Sequence, residues 1–213
     1  MKEKTGHISG LGLLSLLQNT EKSEENICLQ KIYTKNTKGR ICVPKFIIKG
    51  LVPLKGKVRI SGAKNSVLPI MAASLLAEGP SIIEEIPYLS DVRIMCELLK
   101  SLGAEVEIQE NESILRLSPT EILSTTAPYE LVSKMRASFL VMGPLLAKKG
   151  MAKISLPGGC AIGTRPVDLH LKGFAAMGAD IVCQHGYVEA KTKGRLKGNK
   201  VYLDFPSVGA TEN

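Results

Sequence analysis

Two segments of this 213-residue chain repeat one pattern 75 residues apart, and that repeat constrains the fold more than any single motif. Leu98-Leu99-Lys100-Ser101-Leu102-Gly103-Ala104-Glu105-Val106 matches Lys172-Gly173-Phe174-Ala175-Ala176-Met177-Gly178-Ala179-Asp180-Ile181 in character. Each reads as an apolar helix closed by a glycine and followed at once by a strand. A glycine just past a helix takes the left-handed conformation that ends it. Repeats of this kind stack so that each hides the apolar face of its neighbour.

The flanking patterns extend the repeat to a strand–helix–strand–helix–strand–strand unit. In the first unit, short strands are expected at 46–48 and 58–60, with Gly50, Pro53 and Gly56 between them. Apolar residues at helical spacing predict a helix over 66–77, stopped by Glu78-Gly79-Pro80. A strand at 81–86, a helix at 91–102 and strands at 105–109 and 113–117 complete it. The second unit places helices at 128–147 and 166–177, with strands at 151–156, 180–184 and 187–191. A third unit starts at 200–204, and Gly209-Ala210-Thr211-Glu212-Asn213 echoes Gly62-Ala63-Lys64-Asn65. The expected class is therefore α/β (α+β), built from repeated βαβαββ units, with the sequence stopping where a helix should begin. Residues 1–45 are polar, lysine-rich and weakly periodic, and read as a structureless extension to the repeats of 46–213.

Composition narrows the function classes. The formal net charge is +8. A basic surface alone explains it, and so does a site for small anionic substrates. Nucleic acid fits less well, because there is no tryptophan, only 4% of residues are aromatic, and no zinc-finger or RNA-binding signature occurs. No apolar run approaches a membrane span. Five cysteines (Cys28, Cys42, Cys96, Cys160 and Cys183) include no C-x-x-C pair, so neither a disulfide framework nor a structural metal site is implied. A reducing cytoplasm suits them.

The residues with most chemical promise lie in Pro157-Gly158-Gly159-Cys160-Ala161-Ile162-Gly163-Thr164-Arg165-Pro166-Val167-Asp168-Leu169-His170. Its glycines let backbone bend and approach a ligand. Arg165 offers positive charge that favours a Cys160 thiolate. Pro166 suits a first helical position, and the helix start beyond it offers free N–H groups to an anion. The plainer reading makes Cys160 a small buried hydrophobe. Asp168 is explained by the helix dipole alone, and His170 by an ordinary core or surface position. Lys64 and Asn65 either reach an anion at a helix start or are a solvated lysine beside a cap. Arg136, in a mostly apolar segment, is either exposed beside Lys134 or buried with an anionic partner. The glycine loop is neither a P-loop nor G-x-G-x-x-G.

Taken together, Ser61–Asn65, Met135-Arg136-Ala137-Ser138, the Pro157–His170 string, Gly194-Arg195-Leu196-Lys197-Gly198 and Ser207-Val208-Gly209-Ala210-Thr211 resemble the UDP-N-acetylglucosamine enolpyruvyl transferases. The resemblance runs from about Phe46 to Asn213, and the long glycine string is its most specific part. It implies an inside-out α/β barrel. The implied reaction moves the enolpyruvyl group of phosphoenolpyruvate to the 3′-hydroxyl of UDP-N-acetylglucosamine, the first committed step towards peptidoglycan. Cys160 would then be the general acid at the methylene carbon. Lys64 and Asn65 would contact phosphoenolpyruvate. Arg136, Arg165, Pro166, Val167, Asp168, Leu169, Ser207, Val208 and Gly209 would serve UDP-N-acetylglucosamine. No metal or organic cofactor is implied, and neither nucleic acid nor membrane is a partner.

The family's members carry two such domains of three repeats each, with the site between them. By that pattern the second domain and its general-base aspartate lie outside these 213 residues. The strand pair from Phe46 has no sheet to join, and the 213 residues alone are expected not to turn over. A non-catalytic fragment that binds UDP-sugars weakly or not at all is the alternative. The sister family acting on shikimate 3-phosphate shares the architecture, but the Gly-Gly-Cys and Arg-Pro-Val-Asp-Leu-His strings speak against it.

Overall fold

The structure is a computed structural model that describes residues 28–32, 45–49, 55–119, 121–156 and 167–213. It divides into two compact units, 1–60 and 61–213. In the first, strands β1 (Cys28–Ile32) and β2 (Lys45–Lys49) pair antiparallel, with Cys28 opposite Lys49 and Ile32 opposite Lys45. The strand expected at 46–48 is thus present, and it does have a partner, drawn from a segment whose sequence shows little periodicity. The strand expected at 58–60 is absent. A strand needs a hydrogen-bonded neighbour, and among the described residues none runs beside this segment; Ile60 is 74% exposed.

The second unit holds the two repeats. Helix α1 (Lys64–Ala73) tightens into a 3₁₀ turn, Ser74–Leu76, where the Ser74 hydroxyl donates back to the Ile70 carbonyl at 2.9 Å. Strand β3 (Ser81–Ile83), helix α2 (Ser90–Ser101), β4 (Glu105–Gln109) and β5 (Ile114–Ser118) follow. Next come β6 (Thr126–Ala127), helix α3 (Tyr129–Val132), a 3₁₀ segment Arg136–Val141 and helix α4 (Met142–Lys149). Strand β7 (Met151–Ser155), helix α5 (Asp168–Ala176), β8 (Ala179–Gln184), β9 (Tyr187–Thr192) and the short α6 (Val208–Glu212) complete the order.

The repeat seen in sequence is a repeat in topology. One sheet runs β3-β5-β4 and the other β6-β7-β9-β8, so in both the last strand of a β-α-β-β unit inserts between the first two. All pairings within those triplets are antiparallel, and β6 adds to the edge of β7 in parallel. The two Gly-Ala pairs do as expected. Gly103 and Gly178 have φ of 108° and 95°, each just past the helix that precedes a strand. At the first, the Ala104 amide donates to the Leu99 carbonyl at 3.0 Å, satisfying a carbonyl that the helix leaves open.

One core serves both repeats. Val92, Met95, Leu98 and Leu99 of α2 are buried with Leu115 and Leu117 of β5, while Leu145 and Leu146 of α4 share the interior with Ile154, Val188 and Ala190. Helix α1 packs on α2 and on the Arg136–Val141 segment, helix against helix, whereas α2 also covers β4 and α4 covers β7. Arg116 of β5 and Lys191 of β9 face water, whereas Ser155 at the end of β7 is buried.

Two other expectations need correction. The continuous helix at 128–147 is three pieces. Met135 is extended (φ −148°, ψ 127°) and buried, which breaks the chain between α3 and the 3₁₀ segment. Pro144 lacks the N–H that an α-helix running through residue 140 would need, but it is tolerated in the first turn of a helix that starts anew at Met142. The strand opening a third unit at 200–204 is also absent, and Tyr202 is 82% exposed. Its alternation is suitable for a strand, but among the described residues no edge pairs with it.

Candidate active site

A cleft of about 600 Å³ opens where the starts of several helical elements meet. Lys64, Asn65, Leu68 and Pro69 of α1 form one wall, with Asp91 of α2 beside them. Lys134 to Ala137, Phe139 and Leu140 form a second wall. His170 of α5, with Ser207, Val208, Gly209 and Glu212, closes the third side.

Helix α1 begins at Lys64 after an extended Ala63, with no side-chain cap and no acidic residue in its first turn. Its first amides are therefore open to an anion. Pro69 sits inside the same helix and cannot donate to the Asn65 carbonyl, which leaves that oxygen without its usual helical donor. Lys64 Nζ lies 2.8 Å from Asp91 Oδ2, and both side chains stay partly exposed, at 43% and 28%. The ammonium thus waits at the cleft, held by a carboxylate.

Arg136 is exposed in the cleft wall, next to an exposed Lys134 and a buried Met135. The alternative of a buried guanidinium with an anionic partner does not hold, because the segment turns as a 3₁₀ helix after the break at Met135. Lys64, Lys134 and Arg136 face Asp91 and Glu212, so cations outnumber anions in the lining. That excess of positive charge favours a negatively charged ligand over a positive one.

On the third side His170 is buried, with 6% exposed. Its ring meets Phe139 edge-on at 5.2 Å and 78°. Nδ1 lies 2.9 Å from Asn213 Nδ2. Burial above all, and then the charge of Arg136, push the imidazole down to about 4, against the opposing pull of Asp168. The Ser207 hydroxyl accepts from the Ala210 amide at 3.3 Å and so caps α6, holding Gly209 against the His170 ring.

Of the residues singled out by sequence, Lys64, Asn65, Arg136, Ser207, Val208 and Gly209 come together in this cleft. Val167 and Leu169 are instead buried, and Asp168 is exposed in the first turn of α5; none of the three lines it. Cys160, Arg165 and Pro166 lie outside the described residues. Asp91, Lys134, Glu212 and Asn213 are site features that sequence reasoning passed over. Only Asn213 had a signal there, in the echo of Gly62–Asn65 by Gly209–Asn213. No cluster of His, Cys, Asp and Glu able to hold a metal occurs among the described residues. Nor is any described helix long and apolar enough to cross a membrane.

The model of the family described as EPSP synthase (3-phosphoshikimate 1-carboxyvinyltransferase) matches residues 48–213. The chain belongs to the EPSP synthase family.

Within that family its sequence is similar to proteins named for a different acceptor. It is 62% identical over 169 residues to UDP-N-acetylglucosamine 1-carboxyvinyltransferase 1 of Caldanaerobacter subterraneus subsp. tengcongensis, which covers 79% of this chain and 40% of that protein. It is equally similar, at 62% over 169 residues and the same coverage, to UDP-N-acetylglucosamine 1-carboxyvinyltransferase 2 of Carboxydothermus hydrogenoformans. The chain thus spans about 40% of the length of these relatives. Among solved structures, the enolpyruvyl transferase NikO from Streptomyces tendae superposes with a TM-score of 0.58 at 23% identity, covering 68% of this chain and 31% of that one. The EPSP synthase from Acinetobacter baumannii gives 0.56 at 19%, covering 74% and 36%. Those two likenesses establish the EPSP synthase fold.

Proposed function

We propose that this chain provides one side of an enolpyruvyl transferase site whose substrates are phosphoenolpyruvate and UDP-N-acetylglucosamine. The observation that carries the reading is the meeting of Lys64, Asn65, Arg136 and Ser207–Gly209 in one cation-rich cleft, in a chain 62% identical to proteins named UDP-N-acetylglucosamine 1-carboxyvinyltransferase. Both substrates carry concentrated negative charge, which the cleft is suited to receive.

In this reading Lys64, once released from Asp91, pairs with phosphoenolpyruvate at the open amides of α1. Charge-assisted bonds of that kind are about twice as strong as neutral ones. Arg136 and the Ser207–Gly209 corner hold the nucleotide sugar, and the family resemblance adds Arg165, Pro166, Val167, Asp168 and Leu169. Cys160 gives its proton to the methylene carbon of phosphoenolpyruvate while the sugar 3′-hydroxyl adds to the neighbouring carbon and loses its own proton to a base. The tetrahedral adduct then returns a proton from the new methyl group and expels phosphate, leaving the enolpyruvyl ether. General acid catalysis of this type contributes about 10²–10⁴-fold. In this reading the protein works in the cytoplasm, at the entry to peptidoglycan synthesis, with consequences for cell shape and division.

Phosphate release by the full-length protein tests the reading. It should require both phosphoenolpyruvate and UDP-N-acetylglucosamine. Release supported by shikimate 3-phosphate in place of the nucleotide sugar would overturn it.

A further inference from the structure

The cleft contains one buried titratable side chain that the proposed chemistry leaves idle, His170. We propose that Asn213 is a positioning residue that locks the His170 ring in a single tautomer, so that its Nε2–H becomes an uncharged hydrogen-bond donor to an oxygen of UDP-N-acetylglucosamine lying over Gly209. The identity of that ligand rests on the proposed function; the lock itself does not.

Three hydrogen bonds fix the Asn213 amide. The Gly143 amide donates to Oδ1 at 3.0 Å. Nδ2 donates to the Phe139 carbonyl at 3.2 Å and faces His170 Nδ1 at 2.9 Å. An amide oxygen only accepts and an amide nitrogen only donates. Turning the amide over would oppose donor to donor at Gly143 and acceptor to acceptor at Phe139. Nδ1 must therefore accept, and the proton of the neutral ring sits on Nε2.

The surroundings preserve that state. Phe139 braces the ring edge-on. A Cβ added at Gly143 would collide with the Asn213 carbonyl oxygen, so the absence of a side chain there admits the close approach. A Cβ at Gly209 would stand 3.6 Å from His170 Cε1 and 3.7 Å from Nε2, so this edge of the ring meets a bare backbone corner at the cleft. Among the described residues, Nε2 has no hydrogen-bond partner of its own. The charged groups around the ring are Arg136 on the 3₁₀ segment, Asp168 on its own helix and Glu212 on α6. Burial and Arg136 outweigh Asp168, so the ring stays neutral at neutral pH. A neutral donor adds direction to a cleft that already has its cations in Lys64, Lys134 and Arg136.

The test uses the full-length protein with ¹⁵N-labelled histidine, read by long-range ¹⁵N–¹H correlation near about pH 7. His170 should show a bare Nδ1 and a protonated Nε2, and adding UDP-N-acetylglucosamine should shift the Nε2 resonance. A proton on Nδ1, or an Nε2 that saturating UDP-N-acetylglucosamine leaves unmoved, overturns the proposal. Asn213→Asp supplies a readout that a purely structural role would not move. It replaces the donor with an acceptor, which raises the ring's affinity for a proton and assigns Nδ1 that proton when the ring is neutral. Nucleotide-sugar affinity should then fall about tenfold as pH rises through the new titration, while wild type stays flat. If Asn213→Asp keeps the flat profile of wild type, the proposal fails. If calorimetry of wild type shows no UDP-N-acetylglucosamine binding at all, the proposed function fails instead, and the tautomer of the free protein still decides whether Asn213 holds the ring.

Discussion

Lys64 Nζ and Asp91 Oδ2, 2.8 Å apart, tie the first turn of α1 to the first turn of α2 at the mouth of the cleft. The pair links residues 27 positions apart in the chain. It keeps a cation in place before any ligand arrives, and it means that an incoming anion competes with a carboxylate for Lys64. Because both side chains are partly exposed, the pair does little for stability, about 0–1 kcal/mol by comparison with other exposed pairs.

That competition yields the first prediction. Asp91→Asn should leave the melting temperature nearly unchanged and tighten binding of inorganic phosphate, read by calorimetry, by roughly threefold. The gain should shrink as ionic strength rises, because the repulsion that Asp91 exerts is screened. Weaker phosphate binding in the variant would mean that Asp91 orients Lys64 for the anion rather than competing with it.

Gly143 admits Asn213 only because it has no side chain. Gly143→Ala should destabilise the protein by about 1–3 kcal/mol, the usual cost of overpacking a filled site. Urea unfolding measures this. An unchanged midpoint would show that the Asn213 end of α6 moves away freely.

His170 gives stability a dependence on pH. Its imidazole titrates at about 4 in the folded protein and at 6.5 as a free side chain. Between those values the unfolded chain binds a proton that the folded one refuses, so stability rises with pH through this window. The contribution is complete above about 6.5 and is lost as pH falls towards 4. Unfolding midpoints measured across that range should climb, and His170→Gln should flatten the climb. An equal slope in the variant would place the pH dependence elsewhere.

Two glycines should respond in opposite directions. Gly103 has φ +108°, and a Cβ there would strike the Glu121 carbonyl, so Gly103→Ala should destabilise by more than about 1 kcal/mol. Gly173 lies inside α5 with open space where a Cβ would go, so Gly173→Ala should stabilise by about 0.5–1 kcal/mol. Thermal unfolding of the two variants would show whether these local backbone arguments hold.

Much of the architecture was legible because its signals are local. The Gly103-Ala104 and Gly178-Ala179 pairs marked helix ends by backbone need, and the alternation in 105–109 marked β4 at its observed bounds. What failed was non-local. Residues 58–60 and 200–204 alternate like strands, but a strand also needs an edge to pair with. The break at Met135 was hidden because Lys134–Met142 keeps an apolar content compatible with one helix, and only Pro144 argued for a new start. The site followed the same rule. Lys64, Asn65, Arg136 and Ser207–Gly209 were found by residue type in short motifs and by family resemblance. The partners that set their states, Asp91 for Lys64 and Asn213 for His170, come from distant parts of the chain and leave little mark in sequence.

The most direct measurement is the dependence of phosphate release on Lys64 in the full-length protein. With phosphoenolpyruvate and UDP-N-acetylglucosamine present, wild type should release phosphate, and Lys64→Ala, folded by circular dichroism, should lose roughly a hundredfold in kcat/KM, about 2.7 kcal/mol. A folded Lys64→Ala protein that releases phosphate at the wild-type rate would contradict the assignment of this cleft as the enolpyruvyl transfer site.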